Sequence, residues 1–133
     1  MKTVFADSFY FFALVNDRDP AHAKSLAFLR TYSGRLLTTA WVLTELGDGL
    51  TQPANRPAFL QTLRTLQNDP NVVIVAFEEA LFEAGVALFS QRRDKTWSLT
   101  DCISFVVMQR EGITDALTGD HHFEQAGFRA LFK

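Results

Sequence analysis

The chain has 133 residues, with 13 Lys and Arg against 15 Asp and Glu, for a net charge of −2. That length closes a hydrophobic core and is read as one unit, residues 1–133, while the charge balance excludes the global basic field of a simple electrostatic nucleic-acid binder. No apolar stretch approaches the roughly 20 residues of a membrane span. A lone Lys before Val4-Phe5-Ala6 makes no signal peptide, and the single cysteine, Cys102, excludes an internal disulfide, so a cytoplasmic protein is expected.

Strand-like and helix-like segments alternate from the start. Thr3–Ala6 reads as a strand and Ser8–Val15 and Ala21–Tyr32 as helices. A strand at Arg35–Leu37 leads into helices at Ala40–Leu50 and Arg56–Gln67; in the second of these, Leu60, Leu63 and Leu66 keep helical spacing. Val72–Val75 is all β-branched or aliphatic, the composition of a strand buried on both faces. Helices at Glu78–Arg92 and Leu99–Arg110 follow, then strands at Thr114–Leu117 and Phe128–Leu131. Pro20, Pro53, Pro57 and Pro70 fall at element boundaries. The alternation predicts an α/β fold in three layers, with a central, mostly parallel sheet of about five strands flanked by helices.

In open parallel sheets, chemistry gathers beyond the carboxyl ends of the strands. Asp7 follows the first strand directly, and Asp120 follows the fourth after Thr118-Gly119. Glu45 lies on the helix leaving the second strand, and Asp101 in the first turn of the helix before the fourth. Each sits in or beside apolar sequence, where a lone ionised carboxylate is expensive. Two carboxylates about 4 Å apart repel by roughly 4 kcal/mol at an effective dielectric near 20. If the four share a pocket at neutral pH they need a cation, and oxygen-only ligands favour Mg²⁺ or Mn²⁺. Each acid also has a structural reading: Asp7, Asp101 and Asp120 as helix caps, with Ser98 completing a capping box, and Glu45 on a wet helix face. Asp48 and Asp115 are further acids that polar surroundings do not explain. His121-His122 lacks the additional Cys or His that a zinc site wants. Arg92, Arg93 and His121 are the candidates for contacting a substrate phosphate, the arginines otherwise forming a solvated helix end.

The opening Val4-Phe5-Ala6-Asp7-Ser8, the Thr44-Glu45-Leu46 helix, Ser98-Leu99-Thr100-Asp101-Cys102-Ile103-Ser104-Phe105 and Leu117-Thr118-Gly119-Asp120-His121-His122-Phe123 together resemble the PIN domain ribonucleases, especially the VapC-like toxins of type II toxin–antitoxin systems. The resemblance covers essentially the whole chain. It implies that Asp7, Glu45, Asp101 and Asp120 surround Mg²⁺ or Mn²⁺, with Ser8 and Thr118 in supporting positions. It further implies endoribonuclease activity on RNA, a homodimer, and a small antitoxin inserting beside the acidic pocket. The segment Phe9-Tyr10-Phe11-Phe12 with Phe28 holds more aromatics than one small core obviously needs; most are read as core, and the resemblance implies a dimer face and an antitoxin groove near the first helices.

Three rivals remain. A PIN nuclease of RNA processing has the same residues. A phosphatase with Asp7 as covalent nucleophile would ordinarily carry a second acid where Phe9 stands. A non-catalytic interaction module would tolerate neutral residues at all four acids.

Overall fold

The computed structural model describes residues 1–133. Five strands carry the fold: β1 (Thr3–Ala6), β2 (Arg35–Thr39), β3 (Val72–Val75), β4 (Asp115–Leu117) and β5 (Arg129–Ala130). They form one sheet in the order β3-β2-β1-β4-β5, and every pairing is parallel. The helices are α1 (Ser8–Val15), α2 (His22–Thr31), α3 (Ala40–Asp48), α4 (Arg56–Asn68), α5 (Glu79–Gln91), α6 (Leu99–Glu111) and α7 (His121–Gln125). None is long and apolar enough to cross a membrane.

The strand order places the chemistry. β1 pairs with β2 on one side and β4 on the other, so the chain leaves the sheet in opposite directions at the carboxyl ends of adjacent strands. β1 is buried from Val4 onward and β4 throughout, and the core around them includes Phe5, Tyr10, Phe11, Leu46, Phe105 and Phe123. Cys102 lies in this core, as its apolar helix implied.

Two strand expectations change. β2 continues through Thr38 and Thr39, which pair with Ile74 and Val75, because the Thr38 hydroxyl donates to the Ala6 carbonyl (2.8 Å) and Thr39 caps α3 by accepting from the Val42 amide. β3 is an edge strand with Val73 exposed and its other residues half-buried, rather than a strand buried on both faces. Its aliphatic composition reflects β-propensity at an edge, which is indistinguishable in sequence from full burial.

Asp115 opens β4, buried, and is held by Lys2 Nζ at 2.7 Å and Arg129 Nε at 3.1 Å. It faces the opposite end of the sheet from the other acids and is a structural ion pair. Asp48 is exposed at the end of α3.

Helices α5 and α6 meet where Gly85 lies against Ile103; a Cβ at Gly85 would stand 2.4 Å from Ile103 Cγ1 and 3.3 Å from its Cα. Gly85→Ala gains about 1 kcal/mol of helix propensity but overpacks this crossing, at a cost of about 1–3 kcal/mol. The expected outcome is net destabilisation, read as a lower midpoint in urea unfolding with an unchanged m-value.

Candidate functional site

Asp7, Glu45, Asp101 and Asp120 all line one cleft of about 400 Å³ at the carboxyl edge of the sheet. Ser8, Ser98, Thr96 and His122 complete its polar wall, and no Lys or Arg enters it. Three elements of the backbone explain the convergence. The β1–β4 pairing sets Asp7 beside Thr118, two residues before Asp120, α3 leaves β2 with Glu45 on its second turn, and α6 starts at the same edge with Asp101 in its first turn.

Each carboxylate is held by a different device. Asp7 precedes α1 in extended conformation, yet its side chain makes no cap hydrogen bond. Instead it accepts from the Thr118 hydroxyl at 2.9 Å. The same hydroxyl oxygen accepts from the Asp120 amide at 3.1 Å, so one threonine fixes the positions of two acids. Glu45 accepts a short hydrogen bond from Ser8. Asp101 and Ser98 form a complete capping box: the Ser98 hydroxyl accepts from the Asp101 amide at 2.9 Å, and Asp101 Oδ2 accepts from the Ser98 amide at 3.2 Å. Asp120 caps α7 by accepting from the His122 amide at 2.9 Å. Capping and convergence therefore coexist at Asp101 and Asp120, and a carboxylate has lone pairs enough for both. Between Thr118 and Asp120 the chain passes tightly over Phe9, where a Cβ on Gly119 would come within 2.7 Å of the ring.

The electrostatics follow chiefly from burial with no lysine or arginine in the cleft, though His122 acts to lower Asp101. Asp7 is pushed up to about 7 by burial first, with Asp101 and Glu45 adding repulsion, against the lowering effect of the Thr118 hydrogen bond. Glu45 and Asp101 are also raised, again chiefly by burial, and the neighbouring acids add to it.

Of the three residues expected near substrate, Arg92 and Arg93 lie outside the acidic cleft and His121 stands at its rim. Arg92 ends α5, where it makes a bidentate pair with Asp94 at 3.0 Å and lies over the Trp97 ring. Arg93 is exposed, and neither arginine lines the acidic cleft. His121 is 59% exposed and touches only its rim, with Nδ1 3.6 Å from Asp120 Oδ1. The histidine that enters is His122: its Nδ1 lies 3.2 Å from Asp101 Oδ2 and 3.4 Å from Asp120 Oδ1. Successive helix residues point about 100° apart, so the sequence named the pair without separating its members. Thr96, which precedes α6 and faces His122, carried no sequence signal at all.

The raised Asp7 gives a pH dependence of definite sign. Between its ordinary value of 3.8 and about 7, the folded protein holds a proton that the unfolded chain releases. Metal-free stability therefore falls as pH rises through that window, by an amount on the order of a few kcal/mol, and levels off above it. Asp7→Asn is expected to flatten this component, seen as a smaller difference between urea midpoints at pH 5 and pH 8 than in the parent. Thr118→Val removes the hydrogen bond that lowers Asp7, so a carboxyl-carbon NMR titration should show Asp7 moving further up.

The chain's relationships agree with this geometry. A family model described as the PIN domain matches residues 4–129. Comparison with curated protein sequences finds no match. Among solved structures, the Mycobacterium tuberculosis toxin VapC20, which cleaves the sarcin–ricin loop, superposes with a TM-score of 0.87 at 23% identity, covering 96% of this chain and 98% of that one. FitAcB from Neisseria gonorrhoeae gives a TM-score of 0.69 at 15% identity, with 96% and 95% of the two chains covered. VapBC2 from Rickettsia felis, bound to a DNA fragment from its promoter, gives 0.66 at 13% identity, with 93% and 92% covered. With its parallel five-stranded sheet and a family match running from β1 to β5, the chain belongs to the PIN domain family.

Proposed function

We propose that this protein is a divalent-metal-dependent endoribonuclease of the VapC-like toxin type, with Asp7, Glu45, Asp101 and Asp120 as its metal-binding and catalytic acids. The observation that carries the reading is a cleft lined by four carboxylates and no basic lysine or arginine, with one acid raised to about 7. Such a donor set is unfavourable empty and well suited to a hard or borderline dication. Family membership and the fold shared with RNA-cleaving VapC20 make an RNA phosphodiester the substrate assigned to it.

A bound Mg²⁺ or Mn²⁺ supplies Lewis-acid polarisation of the phosphodiester and a water acidic enough to attack at neutral pH. The protein's own part is to hold the donors. Asp7 and Asp101, the more buried acids, would hold the ion. Glu45 and Asp120, half-buried at the cleft wall, would bind it directly, act through water, or orient the nucleophile. Ser8 fixes the Glu45 carboxylate, and Thr118 fixes Asp7 relative to Asp120. With the arginines outside the cleft, no lysine or arginine lines it to meet phosphate charge, which a bound dication would offset.

Residues 1–133 then form one PIN unit acting in the cytoplasm, with a second copy and a small antitoxin as partners. Support for protein partners comes from uncovered apolar surface. Phe82, Val86 and Phe89 recur at helical spacing on α5 and are 39–50% exposed, and Phe77 is 64% exposed. Of the α1 aromatics, Tyr10 and Phe11 are buried in the core, in line with the core reading for most of them. They do form one wall of an apolar cleft of about 370 Å³ with Leu14, Leu29 and Leu66.

Asp101→Asn tests the assignment, because Asn caps a helix as well as Asp does and can still accept from the Ser98 amide. The expected variant folds normally and loses Mn²⁺-dependent cleavage of single-stranded RNA by roughly a hundredfold or more, beyond the 10–100-fold that loss of an outer-shell partner costs. Parental cleavage by folded Asp101→Asn, or cleavage that survives chelator, would reject the metal site. Absence of any RNA cleavage, with neutral replacements tolerated at all four acids, would leave the interaction-module reading.

A further inference from the structure

His122 is the one nitrogen ligand aimed into the carboxylate cleft, and its geometry fits coordination. Its side chain is only 18% exposed, and its Nδ1 stands 3.2 Å from Asp101 Oδ2 and 3.4 Å from Asp120 Oδ1. Metal–ligand bonds of about 2.0–2.2 Å place neighbouring donors roughly 2.8–3.6 Å apart, and each of these two separations falls in that range. The other ring nitrogen, Nε2, lies 3.4 Å from Thr96 Oγ1. In the tautomer whose Nε2–H donates to that hydroxyl, the Nδ1 lone pair faces two carboxylate oxygens, three electron-rich atoms that a cation between them resolves; in the other, Nδ1–H donates to Asp101. Asp120, His121 and His122 also hold one possible ligand atom each within 4.8 Å of one another, but His121 sits on the solvent side at 59% exposure.

We propose that His122 Nδ1 is a direct ligand, together with Asp101 and Asp120, and that it biases the site from Mg²⁺ toward Mn²⁺ and its first-row neighbours. The inference rests on the carboxylate metal site proposed above and adds a nitrogen donor to it. Carboxylates and water serve Mg²⁺ and Mn²⁺ alike, whereas imidazole favours the transition metals, so one nitrogen shifts the preference. Thr96 is then a positioning residue acting through the imidazole.

The test is spectroscopic and needs no turnover. Mn²⁺ is titrated into the parent protein and into His122→Ala, His122→Gln, His121→Ala and Asp101→Asn, with Mg²⁺ as competitor. Electron spin-echo modulation of the bound Mn²⁺ then reports any directly coordinated ¹⁴N. The expected result is imidazole ¹⁴N coupling in the parent and in His121→Ala, absent from both His122 variants. The Mn²⁺-over-Mg²⁺ preference should fall at least about tenfold when His122 is lost, since even an outer-shell partner is worth that much. Mn²⁺ binding in the parent without nitrogen coupling would overturn the inference and leave the carboxylate site intact, with His122 merely hydrogen-bonded to Asp101. Coupling that disappears with His121 instead would overturn it equally. Failure of the parent to bind either ion would overturn both this inference and the metal site beneath it.

Discussion

Burying carboxylates side by side at the end of a parallel sheet is the constraint on which the rest of this structure turns. β1 and β4 are the central pair, and each delivers an acid at the same edge, Asp7 directly and Asp120 two residues beyond Thr118. Helices α3 and α6 bring Glu45 and Asp101 to face them. Desolvation and mutual repulsion both act against ionisation there, and the protein supplies no lysine or arginine to offset them. The cleft is consequently an electrostatic deficit that a dication is suited to fill.

What keeps the acids in place is a set of small hydroxyl side chains. Thr118 serves Asp7 with its proton and Asp120 with its oxygen, both within ordinary hydrogen-bond length. Ser8 serves Glu45, and Ser98 serves the backbone of Asp101. These hydroxyls are neutral, so they orient carboxylates without cancelling the charge a metal needs. The Thr118–Asp7 contact spans residues at opposite ends of the chain, which ties formation of the site to closure of the whole sheet.

Much of this was legible in the sequence because local signals and topology agree. Asp7 after an apolar strand and the Ser98–Asp101 box before an apolar helix are short-range patterns, and alternation of strands and helices placed them at one edge. Side-chain direction was less legible. His121 and His122 are adjacent and alike in sequence, but helix geometry turns one to solvent and the other between Asp101 and Asp120. Arg92 and Arg93 looked available to phosphate, whereas Arg92 is taken up by Asp94 and Trp97. The aliphatic run Val72–Val75 gave the strand but not its edge position, which depends on pairing partners far away in the chain. Asp115 resembled the other acids until Lys2 and Arg129 were seen to neutralise it.

The claim that this cleft is built for a dication is tested most directly by calorimetric titration of Mn²⁺ at pH 6.5 in two buffers of different ionisation enthalpy. At that pH an Asp7 raised to about 7 is mostly protonated, and ligation must expel the proton. The expected result is saturable binding whose heat differs between the buffers by the equivalent of most of one released proton. Binding without proton release, or no binding at millimolar Mn²⁺, would contradict the account.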